Sequence, residues 1–238
     1  MIHWLTRLRD KIFGVEKLEY RIVKSTREYS DFKFKELKAM EILKPYFPSS
    51  FVFETGYTLS FQEIQHIAND IVIHRPATIL EVGSGLSTII LSNLISELGY
   101  NPEFISIDQD SSWQKHLEEQ CENVDFYNFE IGSNSEFAKD GGKWFELPKS
   151  SLLREKKYDL VIIDGPKGYE SQFARFGIVY FLKERVNETS IVFLDDTDRE
   201  DENYILEQMK ELLPLKSSQF FNKYSRLSNK QAIVTSPS

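Results

Sequence analysis

From about residue 76 the sequence alternates short β-rich runs with longer helical stretches, an arrangement that commits a chain to βαβ units around a parallel sheet. The runs are residues 78–82, 104–108, 124–129, 159–164 and 190–195. Their near-continuous apolar character, as in Leu160-Val161-Ile162-Ile163, suits strands covered on both faces. The expected fold class is therefore α/β, a doubly wound and mostly parallel sheet. After a last helix over 200–213, segments 218–227 and 230–235 flank a polar turn at Ser228 and Asn229, which predicts a C-terminal antiparallel hairpin. Before the sheet, Ser60-Phe61-Gln62-Glu63 reads as a capping box opening a helix to His74, and Pro76 stops it.

Residues 1–45 carry no strand signal and read as a helical N-terminal extension, with two charged, aromatic-rich stretches at 2–13 and 18–43. Residues 46–238 then form one catalytic-sized domain, which agrees with a total length of 238 residues. In the first stretch Ile2, Leu5, Leu8 and Ile12 share a helical face beside Arg7, Arg9 and Lys11. Packing on the domain or on a second copy is the ordinary fate of such a face, and an interfacial anchor or partner-binding helix is the alternative.

Composition narrows the partners. Basic residues number 29 against 37 acidic, a formal charge of −8, so no general field favours nucleic acid or anionic lipid. No apolar run approaches the roughly 20 residues of a membrane span, and no transmembrane segment or signal core is expected. Cys121 is the only cysteine, which removes disulfides and cysteine metal sites and fits a cytoplasmic, reducing compartment.

The run Ile79-Leu80-Glu81-Val82-Gly83-Ser84-Gly85-Leu86-Ser87-Thr88 passes from a buried strand through two glycines into a helix. Without a Cβ, glycine lets a ligand approach the backbone, and the helix behind it presents free amides and a positive dipole end. Thr88 stands where a dinucleotide fingerprint has its third glycine, and Glu81 suits the ammonium of a methionine moiety while repelling a pyrophosphate. A nicotinamide-linked oxidoreductase is disfavoured on both counts.

Here the sequence resembles the class I S-adenosylmethionine-dependent methyltransferases, whose first motif is an acid followed by Gly-x-Gly. The resemblance spans roughly residues 58–236 and implies a Rossmann-like fold with S-adenosyl-L-methionine held by Glu81, Gly83, Ser84, Gly85 and Ser87. Asp108 ends the second run about 23 residues after the glycines, where such enzymes place an acid on the ribose hydroxyls. A helix N-cap is the structural alternative for Asp108. Gly132-Ser133-Asn134 follows the third run, where the family contacts adenine, and Ser133 is the candidate there.

The fourth run ends in Asp164-Gly165-Pro166-Lys167-Gly168-Tyr169-Glu170 and the fifth in Asp195-Asp196-Thr197-Asp198. If these strands are neighbours, about 4.8 Å apart, Asp164, Asp195 and Asp196 converge at one edge. Crowding them costs repulsion that a hard divalent cation such as magnesium removes. The pattern looks like that of the cation-dependent O-methyltransferases of the catechol and caffeoyl-CoA kind. That resemblance implies metal ligation by Asp164, Asp195 and Asp196 and a general base at Lys167. Those families carry Asp-Asn where this chain has Asp-Asp, which is closer to macrocin-type sugar O-methyltransferases, also matched by Gly168-Tyr169-Glu170-Ser171. Asp164-Gly165-Pro166-x-Gly168 with Arg175 further along is similar to glucuronoxylan methyltransferases. Both comparisons imply a carbohydrate hydroxyl on a glycan or small molecule.

Each of these residues has a structural alternative. Asp195 or Asp196 could cap a helix, Lys167 could be a solvated loop lysine, and Asp198, Glu200, Asp201 and Glu202 suit the acidic first turn of the last helix. His3, His66, His74 and His116 show no metal-ligand spacing. The reading is an O-methyltransferase assisted by a cation. Its rivals are a metal-independent N- or carboxyl-methyltransferase and a non-catalytic cofactor-binding module.

Overall fold

The computed structural model describes residue 11 and residues 15–49, 51–52, 54–168, 171 and 173–230. The expected helix over 2–13, apart from Lys11, lies outside the described residues. So do Tyr169, Glu170 and the expected strand over 230–235 beyond Lys230.

A long helix α1 (Val15–Leu43) precedes α2 (Phe61–His74), and the α/β succession follows: β1 (Thr78–Val82), α3 (Leu86–Glu97), β2 (Glu103–Asp108), α4 (Ser111–Glu118) and β3 (Asp125–Asn128). After a small pair, β4 (Ile131–Gly132) and β5 (Trp144–Phe145), come β6 (Leu160–Ile163), α5 (Gly177–Leu182), β7 (Ile191–Leu194), α6 (Glu200–Leu212), β8 (Ser218–Phe221) and β9 (Tyr224–Leu227). The main sheet has seven strands in the order β3-β2-β1-β6-β7-β9-β8. The first five run parallel, and β9 pairs antiparallel with both β7 and β8, so the expected doubly wound sheet is present.

Strand periodicity divides the core. Leu80, Val82, Ile105, Ile107, Val161, Ile163, Val192 and Leu194 face one apolar cluster with Trp144, Phe176 and Phe181. Ile79, Phe104, Leu160, Ile162, Ile191 and Phe193 face another, built with α2, α3 and the end of α1. Apolar burial on both faces explains why these runs read as continuous rather than alternating.

The ends of the parallel strands step across one edge. Gly83 N–H donates to Ile107 O (2.9 Å), Asp164 N–H to Val82 O (2.8 Å) and Asp195 N–H to Ile163 O (3.0 Å). This ladder carries Asp108, Gly83, Asp164 and Asp195 to the same rim, where ligands of open α/β sheets bind.

Two expectations need correction. Residues 218–227, expected as one strand, hold both strands of the hairpin, which turns at Asn222-Lys223 with Asn222 in the left-handed region at φ 64°. Asparagine tolerates that region, whereas the Ser228-Asn229 pair serves as a tether, Asn229 Nδ2 donating to Glu188 O (3.2 Å) and Pro214 O (3.0 Å). The capping box at α2 is half formed. Ser60 Oγ accepts from Glu63 N–H (3.2 Å), but the Glu63 carboxylate does not return to Ser60. Glu36 of α1 instead accepts from Phe61 N–H (2.9 Å) and Gln62 N–H (3.0 Å), fastening α1 to the start of α2.

Candidate active site

The glycine turn is shaped by contact with the next strand. Gly83 has φ 100°, and a Cβ there would stand 2.9 Å from Gly165 N. Gly85 has φ −163°, ordinary extended backbone, and a Cβ there would meet only Ser87 Oγ at 3.9 Å. The first glycine is thus required by the fold, and the second leaves open space above the start of α3. Gly85 N–H donates to Thr88 Oγ1 (2.8 Å), so the residue replacing a third glycine caps the helix it opens.

Glu81 lies beneath the turn, fully buried and outside the cavity lining. Its strand position puts it on the same face as Ile79, toward α3. There it accepts from Ser87 Oγ (2.6 Å), Thr88 Oγ1 (2.5 Å) and Ser106 Oγ (2.9 Å). Burial pushes its carboxyl up to about 7 against the opposing pull of those hydroxyls. Because Ser106 gives its proton to Glu81, the 2.8 Å contact between Ser84 Oγ and Ser106 Oγ has Ser84 as donor, and Gln114 Nε2 donates to Ser84 Oγ in turn (3.1 Å). Glu81 therefore organises the turn from below. The structure does not bring it to where a ligand's ammonium would contact it directly.

Asp108 does reach the cavity. Its Oδ2 accepts from Ser84 N–H (2.9 Å) and its Oδ1 from Asp110 N–H (2.8 Å). The helix-cap role belongs to Asp110, which accepts from Ser112 N–H and Trp113 N–H (3.1 and 3.0 Å). Burial raises the Asp108 carboxyl against the pull of the Asp110, Ser84 and Gln109 amides. Trp113, which the sequence reading did not single out, lines the same space and donates from Nε1 to Ser84 O (2.8 Å). Ser133 is exposed and outside the lining.

At the other end of the cavity, Asp164, Asp195 and Asp196 offer oxygens that all lie within 4.8 Å of one another. The surprise is a built-in cation. Arg175, 4% exposed, places Nη2 3.1 Å from Asp164 Oδ1 and Nη1 3.3 Å from Asp196 Oδ2, and Nε donates to Pro166 O (3.3 Å). Asp196 Oδ2 also meets Arg199 at 2.7 Å, and its Oδ1 lies 3.6 Å from Lys223. Burial, followed by the charge of Asp196, raises the Asp195 carboxyl. Burial raises that of Asp164 well above the usual range, with Arg175 opposing.

Asp195 Oδ1, Asp196 Oδ1 and both oxygens of Glu63 remain buried without a hydrogen-bond partner. Orphaned carboxylate oxygens at this density fit a hard divalent cation. Arg175 covers part of the same charge, so the repulsion argument alone demands a metal less strongly than the sequence implied. Lys167 lines the cavity, half-buried in the loop after β6. Among the acids of the last helix, Glu202 is buried near Arg175, while Asp201 Oδ2 accepts from Phe173 N–H (3.3 Å).

One cavity of about 560 Å³ runs from Gly83, Ser84, Gly85 and Asp108 to Asp164, Lys167, Arg175, Asp195 and Asp196. That volume is in the range of sites for cofactors and drug-sized ligands. Thr55 to Leu59, ahead of α2, form part of its wall. Among the described residues no helix is long and apolar enough to cross a membrane.

No protein-family model matches this sequence, and no curated protein matches it either. Solved structures do. An O-methyltransferase from Bacillus cereus in complex with SAH is 12% identical, with 82% of this chain and 91% of that one covered at a TM-score of 0.50. An SAH-bound methyltransferase from Podospora anserina is 14% identical over 83% of this chain and 88% of that one (TM-score 0.46). A precorrin-6y C5,15-methyltransferase from Geobacter metallireducens is 11% identical over 75% and 94% (TM-score 0.49). At such identities the likeness to the Bacillus cereus enzyme speaks for architecture, and the architecture is the Rossmann-like fold of the class I S-adenosylmethionine-dependent methyltransferases.

Proposed function

We propose that this protein is an S-adenosylmethionine-dependent O-methyltransferase, assisted by a divalent cation, that methylates a hydroxyl of a sugar or glycosylated small molecule. The observation that carries the reading is the single cavity joining the glycine turn and Asp108 to Lys167 and the three aspartates. In this reading Gly83, Ser84 and Gly85 receive the methionine end, Asp108 accepts from the ribose hydroxyls, and Glu81 with Ser87 keeps the turn in shape. Methyl transfer is an in-line displacement from sulfur to oxygen, so the protein's contribution is alignment together with activation of the hydroxyl. Asp164, Asp195 and Asp196 would hold the cation, magnesium or a similar ion, which supplies Lewis-acid lowering of the hydroxyl's pKa. Lys167, at the cavity wall, accepts the hydroxyl proton at Nζ when its amine is neutral. The carbohydrate acceptor rests on the resemblance of the Asp164 to Ser171 stretch, and the cytoplasmic setting on the single cysteine.

A second reading has its own support. Arg175, Arg199 and Lys223 already contact Asp164 and Asp196, an arrangement compatible with a metal-independent methyltransferase acting on nitrogen or a carboxylate. Calorimetry with S-adenosylhomocysteine tests the cofactor site, and absence of binding sinks both readings. Mass spectrometry of a glycan panel for the gain of one methyl group, with and without chelator, then tests the acceptor and the cation. Full activity under chelation would leave the second reading standing alone.

A further inference from the structure

Beside the catalytic cavity lies a second one of about 480 Å³, and α1 forms its outer wall. Phe32, Leu37 and Met40 line it from α1, while the buried Leu59 and Phe61 make its floor. Helical spacing puts residues 33, 36, 37 and 40 on one face of α1. The bonds that Glu36 accepts from Phe61 N–H and Gln62 N–H hold that face against the start of α2. The groove is thus fixed in place by the same contact that fastens the helix.

The two cavities share Thr58, Leu59 and Lys223 as a common wall. Lys223 Nζ lies 3.6 Å from Asp196 Oδ1, so the groove adjoins the catalytic cavity at its aspartate end, away from the glycine turn and Asp108. Its two acids, Glu36 and Glu54, are matched by Lys33 and Lys223, and no net charge selects an ionic occupant. A lone exposed apolar side chain is ordinary, but here Leu37, 61% exposed, stands at the rim of a groove where five of eleven lining residues are apolar. We propose that this groove receives an uncharged, apolar aglycone of the acceptor, while the sugar hydroxyl to be methylated lies in the catalytic cavity beyond Thr58 and Lys223. This rests on the carbohydrate O-methyltransferase reading and narrows it to glycosides of apolar small molecules, as against free sugars or polar glycan chains. α1 precedes the region that resembles methyltransferases, and its position makes it the element that selects the acceptor.

The test compares phenyl glycosides with the matching methyl glycosides as acceptors for the full-length chain, with S-adenosylmethionine and Mg²⁺ present and methyl gain read by mass spectrometry. Phenyl glycosides are expected to show a KM lower by about tenfold or more at similar kcat, since the groove adds binding common to ground state and transition state. Leu37→Glu is expected to remove that advantage while leaving kcat and S-adenosylhomocysteine affinity within about twofold. Phe34→Glu, on the same helix but outside the groove lining, should leave the advantage intact. Equal KM for both glycosides, or an advantage that survives Leu37→Glu, overturns the groove and leaves the methyltransferase reading standing. A changed sedimentation coefficient in Leu37→Glu in place of a KM effect would mark a contact between copies of the chain and also overturn it. Methylation of neither glycoside by a protein that binds S-adenosylhomocysteine overturns the carbohydrate reading and this proposal together. Absence of S-adenosylhomocysteine binding overturns the cofactor site and both with it.

Discussion

Gly83 and Gly165 meet backbone to backbone at the ends of β1 and β6, so closely that a Cβ on Gly165 would stand 3.0 Å from both Cα and N of Gly83. The turn proposed for the cofactor and the loop bearing Asp164 are therefore positioned by one contact. Gly83→Ala adds a left-handed dihedral penalty of roughly 1–3 kcal/mol to the collision, and Gly165→Ala suffers the collision alone. Both are expected to lower the urea midpoint and to weaken S-adenosylhomocysteine binding. Gly85→Ala should fold with wild-type stability, since nothing in the protein occupies its Cβ position. If it nonetheless loses ligand affinity, the loss reports direct approach of the ligand to that backbone.

The buried pair Asp70 and Arg226 ties α2 to β9 across 156 residues, with Nε and Nη2 of Arg226 at 2.6 and 3.0 Å from the two carboxylate oxygens. Removing one partner strands a buried charge, so Asp70→Ala or Arg226→Ala is expected to cost about 3–5 kcal/mol in equilibrium unfolding. The double change Asp70→Leu with Arg226→Met should recover much of that loss, because an apolar pair leaves no charge uncompensated.

His66, on α2, contacts Tyr224 Oη through Nδ1 at 2.6 Å, and burial lowers its pKa to about 4. In the unfolded chain its value is the ordinary 6.5. The unfolded state therefore binds a proton first as pH falls. The His66 contribution is complete above pH 6.5 and is lost between 6.5 and about 4, up to roughly 3 kcal/mol at 1.36 kcal/mol per unit. The imidazole resonances should titrate near 4. Relative to His66→Asn, the wild type should lose stability across that window, and a constant difference would refute the assignment.

Asp196 occupies the left-handed region at φ 58° while contacting Arg175, Arg199 and Lys223. Asparagine tolerates that backbone and alanine resists it. Asp196→Asn is expected to fold with a small loss, whereas Asp196→Ala should be about 1–2 kcal/mol less stable again. Thermal unfolding of the two variants separates backbone strain from lost charge.

If Lys167 takes the acceptor's proton, Lys167→Ala should lower kcat by about 10²- to 10⁴-fold without changing S-adenosylhomocysteine affinity. A drop in KM-linked binding with kcat intact would assign Lys167 to acceptor positioning instead.

Much of this fold was legible in the chain because its signals are local. Two-sided burial made β1, β2, β6 and β7 apolar runs, and parallel winding then carries whatever follows them to one rim. Asp108, Gly83, Asp164, Asp195 and Asp196 could be placed there from residue order alone. The hairpin was misplaced because the turn depends on the left-handed tolerance of Asn222, a weak signal beside Ser228-Asn229.

What tertiary structure decided was the direction in which polar side chains point. Glu81 resembles a cavity acid in sequence, yet strand alternation and the hydroxyls of α3 and β2 turn it under the turn. Glu63 resembles the returning half of a capping box, yet its carboxyl is buried beside Asp195, while Glu36, 25 residues before Phe61, holds the Phe61 and Gln62 amides. Arg175, from the turn before α5, neutralises acids whose crowding at the strand ends points in sequence to a metal alone. In each case the deciding partner lies on another element or turn, from 6 residues away for Ser87 to 25 for Ser106, and local pattern carries no information about which buried charge it will meet.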